Sequence, residues 1–480
     1  MASPQQVAPG STLTASMENA LVALSKLVVN RARYIGPTNR SGQRCFDNTR
    51  VDVRNQILRW IISRDDSSKI MWMTGPAGTG KTAIARSIAE SCYVVGYLGP
   101  TFFFSKLDLK SFCSSKYLVA TLAYELTQHK GFDPVRPYIL SAIKPSVFTK
   151  SLDRQIEDLI LKPLRRVPIM DPIRASWPKA IVIDGLDECD VWTPPTPGLV
   201  GFHRSKDDEH LEILEGLAMA ARDPAFPFRI FIASRPEPAI AQFFETSGQD
   251  ISTKLVLDES RNPNVNEDMA HFLRAMFMEI RRRLPDLGDW PGEEIIQSLV
   301  RRASGQFIYV QTIKAFLMKD THAMHPVPAL KRVVSGLADG GVNPFAALDE
   351  FYAPILKAAP HPDLAVLWIH AINSDPLKGL PASFLKRFLG SDVDTAQQEH
   401  ILGSLRSLIS IPGPRDPHAE YTLYHKDLLE FLNNHNRCGH LYAEPSTRKA
   451  FILERYMAIL KSQSSFQLLS ILDLADGHYR

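Results

Sequence analysis

The chain has 480 residues, of which 45% are hydrophobic and 22% charged, a composition typical of a soluble globular protein with two to four domains. A formal net charge of +3 is nearly neutral for this length, which excludes bulk attraction to nucleic acid or to an anionic membrane. No run of about 18 apolar residues predicts a membrane span, and the N-terminus lacks the pattern of a secretory signal. Five scattered cysteines without metal-ligand or disulfide spacing favour reduced thiols in a cytoplasmic protein.

The first predicted element is an amphipathic helix over residues 12–32, because its apolar residues recur at helical spacing. Its polar face carries few basic residues, so packing on a neighbouring domain is favoured over membrane binding. A polar link follows, and then a second helix, "VDVRNQILRWIIS". We assign residues 1–44 to the N-terminal helix and linker.

Residues 45–260 alternate between apolar strands and amphipathic helices. The predicted strands are "KIMWMT", "TFFFSK", "KAIVIDGLDE", "FRIFIASRPE" and "TKLVLD". This alternation indicates a parallel sheet covered by helices on both faces. We therefore predict an α/β fold of the P-loop NTPase class, with three layers, and we interpret the Pro-rich stretch "DVWTPPTPGLVGFHRSKDD" as an exposed loop.

The stretch "GPAGTGKT" lies between the first predicted strand and a helix, and it has the spacing G-x-x-x-x-G-K-T of a phosphate loop, or Walker A motif. Backbone N–H groups of such a loop face the phosphates, and the helix dipole adds partial positive charge. Lys81 would neutralise the β- and γ-phosphates, and the Thr82 hydroxyl would hold Mg²⁺. The predicted nucleotide contacts are Gly75, Pro76, Ala77, Gly78, Thr79, Gly80, Lys81, Thr82 and Ala83. The alternative, a glycine-rich turn without a ligand, is disfavoured by the complete motif in this context.

A second group of candidates follows the strand "AIVID", in the position of a Walker B motif. Asp184 ends that strand, where its carboxylate can reach the Mg²⁺ shell. Asp187 and Glu188 come three and four residues later. Either could polarise the attacking water as a catalytic residue, and we choose Glu188 as the general base. Arg235 ends another apolar strand and is predicted to sense the γ-phosphate. The alternatives are ordinary acidic residues at a helix N-terminus and a salt-bridged surface arginine.

Beyond residue 260 the pattern is helical. We assign residues 261–344 to a helical domain, residues 345–445 to a winged-helix-like domain and residues 446–480 to a C-terminal helical tail. Within the second of these, "YTLYHKDLLEFLNNH" predicts a short β-like run that leads into a helix.

The motifs "GPAGTGKT", "FFFSK", "VIDGLDEC" and "IASRPEP", in this order, resemble the NACHT domain of filamentous-fungal NOD-like proteins, which belong to the STAND class of signalling P-loop ATPases. The resemblance continues through "VRPYILSAI", "SGQFIYVQTI" and "LDEFYAPIL" to "LYHKDLLEFL", and so covers about residues 32–442. Where relatives in plants and animals often place a proline against the adenine, this chain has Gly305-Gln306-Phe307.

This resemblance implies a nucleotide-binding domain, a helical domain and a winged helix that close over ADP in the resting state. It also implies that His425 contacts the β-phosphate, the alternative being a capping or core histidine, and that Thr49 and Arg50 flank the adenine. The implied cofactors are ATP or ADP with Mg²⁺. The implied partners are homo- or hetero-oligomers with related NACHT proteins, with no nucleic acid and no membrane span.

Three functional hypotheses follow. The leading one is a cytoplasmic ATP/ADP switch with slow hydrolysis, in fungal innate-immunity or incompatibility-type signalling. The second is a turning-over AAA+-like ATPase that remodels a partner. The third is a truncated adaptor or decoy that binds nucleotide structurally, since relatives commonly continue into sensor repeats whereas this sequence ends at Arg480.

Overall fold

The computed structural model describes residues 15–34, 44–63, 65, 67–75, 78–105, 114–189, 191, 205–257, 263–303, 305, 307–318, 325–335, 346–390, 398, 401–402, 405, 408–412, 419–423 and 427–462. Several predictions therefore lie outside the described residues: the contacts of Pro76 and Ala77, Gln306, His425, and most of the Pro-rich loop. The chain divides into two compact units, one ending at Leu257 and the other made of the later residues together with Gly78 and Thr79.

The first unit contains five strands and nine helices among its described residues. The strands are β1 Ile70–Thr74, β2 Leu98–Phe103, β3 Ala180–Asp184, β4 Arg229–Ser234 and β5 Ser252–Val256. The helices are α1 Ala15–Ser25, α2 Val51–Ile62, α3 Lys81–Val94, α4 Leu118–Gln128, α5 Arg136–Ala142, α6 Leu152–Ile156, α7 Lys162–Arg165, α8 Lys206–Arg222 and α9 Pro238–Glu245. A π-helical turn, Glu157–Leu161, joins α6 to α7.

All five strands are parallel and lie in the order β2-β3-β4-β1-β5. The four strands β1 to β4 are almost entirely buried, as expected for a sheet with both faces covered. Along β1, Ile70 and Trp72 pack into the core on one face, whereas Met71 and Met73 pack into the core on the other. The predicted α/β class with a parallel sheet is confirmed.

The register of the sheet brings the ends of three strands to one edge. Thr74, the last residue of β1, pairs with Ser234 of β4, and Asp184, the last residue of β3, pairs with Ala233. Strand β4 therefore lies between the strand that precedes the phosphate loop and the strand that ends in Asp184. Parallel strands are about 4.8 Å apart, so roughly 10 Å separates those two strands.

The N-terminal helix is shorter than the predicted span of 12–32, because α1 ends at Ser25. The following segment contains only a short 3₁₀ helix, Asn30–Ala32, and is held in place by side chains of other elements. The Val29 amide donates to Thr121 Oγ1 at 3.3 Å, the Tyr34 amide donates to Thr101 Oγ1 at 2.8 Å, and Arg33 Nε donates to Glu125 Oε1 at 2.8 Å. These contacts fasten residues 29–34 to β2 and α4.

The second unit is mainly helical. Its described helices are α10 Pro263–Arg283, α11 Glu293–Ala303, α12 Phe307–Met318, α13 Pro326–Ser335, α14 Ala346–Lys357, α15 Pro362–Ile372, α16 Ala382–Leu389, α17 Asp427–Leu432, α18 His435–Cys438 and α19 Pro445–Ser462. Gly305, with φ of +82°, lies between α11 and α12, where a left-handed residue interrupts the helical pattern.

A two-stranded antiparallel sheet, β6 Ile409–Ser410 with β7 Thr422–Leu423, belongs to the same unit. Strand β7 followed by α17 matches the β-like run and helix predicted from "YTLYHKDLLEFLNNH". None of the helices in the described part of the chain is long and apolar enough to cross a membrane.

Candidate nucleotide-binding site

The phosphate loop connects β1 to α3. Gly78 and Gly80 adopt φ of +78° and +87°, a left-handed conformation that side chains disfavour, and Gly80 forms the N-cap of α3. Glycine is thus required by the backbone conformation at positions 78 and 80. Lys81, the first residue of α3, turns back over the loop, and its ammonium donates to the Gly75 carbonyl at 2.7 Å. This bond holds the cation beside the loop whose N–H groups would receive phosphate.

The centre of the site is the buried carboxyl group of Asp184, which accepts a hydrogen bond from the Thr82 hydroxyl. That bond joins the start of α3 to the end of β3, across the edge of β4. Burial is the main cause that raises the pKa of Asp184 from 3.8 to about 6. The Thr82 hydroxyl and the Arg86 guanidinium lower it, whereas Glu188 and Asp187 raise it further. Thr82 and Asp184, the predicted Mg²⁺ ligands, are therefore in contact.

Arg86 is a member of this group that the sequence reasoning missed. It follows Thr82 by four residues on α3, so both side chains lie on the same face of the helix. Its guanidinium carbon lies 5.4 Å from the ring centroid of Phe103, at the end of β2. The spacing from Thr82 was the signal that could have identified it. Arg86 supplies positive charge to the buried Asp184 carboxyl.

The acidic residues after Asp184 lie in a tight turn. Gly185 has φ of +73°, and its amide donates to the Ala233 carbonyl at 2.8 Å. A side chain at this position would place Cβ 2.8 Å from the Phe104 carbonyl oxygen, so the turn requires glycine. The chain continues into a 3₁₀ turn, Leu186–Glu188. This turn separates two acidic side chains that are adjacent in sequence.

Asp187 and Glu188 have different surroundings. Asp187 is buried, and its Oδ1 accepts a hydrogen bond from the Arg235 amide at 3.0 Å. Its Oδ2 lies 3.4 Å from Arg235 Nε. The structure thus brings together two predicted site residues, one after β3 and one after the neighbouring β4. Glu188 is only half-buried, which leaves its carboxylate the more accessible of the two.

The predicted contacts with the adenine and with the β-phosphate, like those of the phosphate loop, stay predictions. Arg50 is buried and precedes α2 with φ of +56°, and its carbonyl accepts from the Arg54 amide at 3.0 Å. Thr49 Oγ1 donates to the Phe46 carbonyl at 2.6 Å. The adenine-flanking role of these two residues stays a prediction, as does the β-phosphate contact of His425.

Among the described residues, no three His, Cys, Asp or Glu side chains converge in the manner of a metal site built from protein ligands alone. Mg²⁺ prefers six oxygen ligands and commonly takes several of them from substrate phosphates and water. The donor set here, one hydroxyl and one carboxylate next to a phosphate loop, suits a magnesium ion that arrives with a nucleotide. Thr82 and Asp184 would hold it, and it would supply positive charge beside the phosphates.

Comparison with known families gives one match. The family described as nephrocystin 3, N-terminal, matches residues 53–235, which contain the phosphate loop, Asp184 and Arg235. The match covers less than half of the chain. Among proteins of curated function, none matches the sequence significantly.

Several solved structures resemble the chain at low identity. A signal transduction ATPase with numerous domains (STAND) with a tetratricopeptide repeat sensor, from Pyrococcus horikoshii, has 13% identity and a TM-score of 0.41, and the match covers 87% of this chain and 46% of that one. The Aeropyrum pernix ORC2 protein, in ADPNP-ADP complexes, has 12% identity and a TM-score of 0.36 over 88% and 98% of the two chains. Drosophila ORC bound to DNA has 14% identity and a TM-score of 0.35 over 89% and 94%. The chain thus spans about half the length of the Pyrococcus protein, and likenesses this distant do not establish an activity.

Proposed function

We propose that this protein binds ATP and ADP with Mg²⁺ at the phosphate loop and works as a slowly hydrolysing signalling switch. The observation that supports this most strongly is the contact between the Thr82 hydroxyl at the start of α3 and the Asp184 carboxyl at the end of β3, a strand that β4 separates from β1. A hydroxyl and a carboxylate so arranged beside a phosphate loop are suited to a nucleotide-bound Mg²⁺.

The acidic turn supports a division of roles. Asp187 is engaged by both the amide and the guanidinium of Arg235, so it acts as a positioning residue for that arginine. Glu188 is adjacent and more accessible, and we propose that it orients and deprotonates the attacking water. When a γ-phosphate is bound, it competes with Asp187 for Arg235, which gives the arginine a means of sensing ATP.

The switch itself requires that ADP and ATP stabilise different arrangements of the chain. A ligand shifts such an equilibrium only by its differential affinity for the two states. By the NACHT resemblance, His425 would supply that difference through a contact with the β-phosphate of ADP. We accordingly propose a signalling role of the NOD-like kind, with assembly into oligomers in the ATP-bound form.

Nucleotide binding is tested by titrating fluorescent ADP into the wild type and the Lys81→Ala variant. Loss of a charge-assisted contact costs about 1.5–3 kcal/mol, so we expect at least a tenfold weaker affinity. Lys130→Ala, which removes an exposed lysine of the same unit, is the matched control and should bind as the wild type does. Equal affinity of the wild type and Lys81→Ala would refute the assignment.

The switch is tested with His425→Ala. If the histidine contacts the β-phosphate only in the ADP state, the variant should lose more thermal stabilisation by ADP than by a non-hydrolysable ATP analogue. It should also elute more often as an oligomer in size-exclusion chromatography. An equal loss of stabilisation for both nucleotides, with unchanged elution, would reject the switch mechanism while leaving nucleotide binding intact.

A further inference from the structure

A charged cavity apart from the phosphate loop lies in the first unit and is lined by residues between 138 and 166. Its volume is about 420 Å³, within the range of pockets that hold small ligands. Its lining includes four basic side chains, Lys144, Lys150, Lys162 and Arg166, and a single acidic one, Asp158. None of these residues belongs to the phosphate loop or to the strands that position it. We call this cavity the basic pocket.

Asp158 fixes two of the four cations. Its Oδ2 lies 2.7 Å from Lys150 Nζ, and its Oδ1 lies 2.6 Å from Lys162 Nζ. The carboxylate is partly buried, and the two ammonium groups lower its pKa, so it stays ionised at neutral pH. Each ammonium has three N–H donors, and the bond to Asp158 uses one of them. Two positioned cations thus keep donors for an incoming anion.

The other two cations have no carboxylate partner among the described residues. Lys144 is exposed at the rim, and the Arg166 guanidinium lies 5.9 Å from the ring centroid of the exposed Tyr138. Neighbouring arginines that face elsewhere are paired: Arg165 contacts Glu157 and Asp223, and Arg154 contacts Asp153. The basic pocket therefore carries a surplus of positive charge that these neighbouring arginines do not share.

The walls complete a site for a small polar ligand. Ala142 and the buried Val147 and Pro163 supply apolar surface, and Ser141 and Ser146 also line the cavity. A phosphate group carries about −1.5 to −2 at neutral pH on adjacent oxygens. Two phosphates therefore match the net charge of four cations and one carboxylate. Arginine binds phosphate through two parallel N–H bonds and lysine binds it as a point charge, so both types suit this ligand.

We propose that the basic pocket binds a small molecule carrying two or more phosphate groups, either free or as the headgroup of a lipid. An acidic protein segment is less suited, because the cations line one concave volume rather than an extended stripe. The ligand is anchored by Lys144 and Arg166 together with the lysine pair on Asp158. This site is independent of the nucleotide at the phosphate loop.

The test is a titration of the full chain with inositol trisphosphate by isothermal calorimetry, with Mg²⁺ and ADP in excess so that the phosphate loop is filled. The wild type should bind saturably, and affinity should fall as salt is raised. The double variant Lys144→Ala/Arg166→Ala should bind about 100-fold more weakly, since two charge-assisted contacts are lost at about tenfold each. Arg154→Ala/Lys130→Ala, which removes two exposed cations outside the pocket, should bind like the wild type.

Fluorescent-ADP binding by each variant reports that the first unit remains folded. A sedimentation arm with phosphatidylcholine vesicles, with and without phosphatidylinositol bisphosphate, identifies the source of the phosphates. The proposal is supported if either probe binds the wild type and the Lys144→Ala/Arg166→Ala variant binds that probe more weakly. It is overturned if neither probe binds, if both double variants bind alike, or if a poly-glutamate peptide binds the pocket more tightly than the trisphosphate.

Discussion

Asp184 should destabilise the nucleotide-free protein at neutral pH. Its pKa is raised from 3.8 to about 6, chiefly by burial, which is a difference of about 2 pH units. One unit corresponds to about 1.4 kcal/mol, so ionising this carboxyl group in the folded state costs about 3 kcal/mol. Because the folded pKa lies above the unfolded one, its stabilising contribution is complete below about pH 4 and is lost as pH rises to about 6.

The perturbation that isolates this effect is Asp184→Asn, which keeps the shape and can still accept from the Thr82 hydroxyl but cannot ionise. Without nucleotide, the variant should be more stable than the wild type by about 3 kcal/mol at pH 7, and the two should converge near pH 4. Urea unfolding followed by tryptophan fluorescence measures this, because the buried Trp72 indole donates to Ser234 within the sheet. Asp207→Asn, at an exposed acid on α8, is the matched control and should show no such dependence.

Addition of Mg²⁺ and ADP should make the wild type more stable than Asp184→Asn. Mg²⁺ with ADP supplies the charge that the buried carboxylate lacks, so the nucleotide complex should stabilise the wild type more than Asp184→Asn. A difference between wild type and variant that is the same at pH 4 and pH 7 would refute the electrostatic reasoning. So would a less stable variant at pH 7 in the absence of nucleotide.

Three further outcomes are expected. Glu188→Gln should abolish ATP turnover in a phosphate-release assay with nucleotide affinity unchanged; full turnover would exclude it as the base. Asp187→Asn should leave Glu188 in place as the general base but release Arg235, so the ratio of ATP to ADP affinity should change more than the hydrolysis rate does. If the hydrolysis rate changes more than that ratio, Asp187 is the base and Glu188 is not. Arg33→Met should lower the free energy of unfolding by about 3–5 kcal/mol, because it leaves the buried Glu125 carboxylate without a cationic partner and with only its hydrogen bonds from Thr101, and adding Glu125→Leu should restore much of the loss in the same denaturation experiment.

The strands and the phosphate loop could be predicted because each depends on local sequence. A continuous apolar run such as "AIVID" indicates a strand that is buried on both faces by helices. The conformation of the phosphate loop depends on Gly78 and Gly80, which are part of the local sequence. The order of the strands could not be predicted, since four buried apolar strands carry no pattern that distinguishes their neighbours. The pairing of Asp187 with Arg235 depends on that order, because it requires β3 to lie beside β4.

Two other features were beyond the reach of sequence patterns for different reasons. The predicted helix over 12–32 ended early because side chains of Thr101, Thr121 and Glu125, about 70–90 residues away, bind the segment that follows it. The basic pocket has no periodic signature, since its cations are spread over residues 144–166 and interleave with Arg154 and Arg165, which do not line it. Only the three-dimensional fold shows which of these basic residues line the pocket and which do not.

The strand order also determines when this protein can begin to fold during synthesis. Strand β1 is synthesised early, yet its partners are β4 and β5. Ile70 therefore cannot pair until Ile230, 160 residues later, has been synthesised. At translation rates of about 5–20 residues per second, β1 remains unpaired for roughly 10–30 s after it leaves the ribosome. During that interval the apolar segment Ile70–Thr74 is exposed to chaperones and to other nascent chains. A ribosome that stalls before residue 229 therefore releases a chain in which β1 has no neighbour, and such chains should depend on chaperones for their solubility.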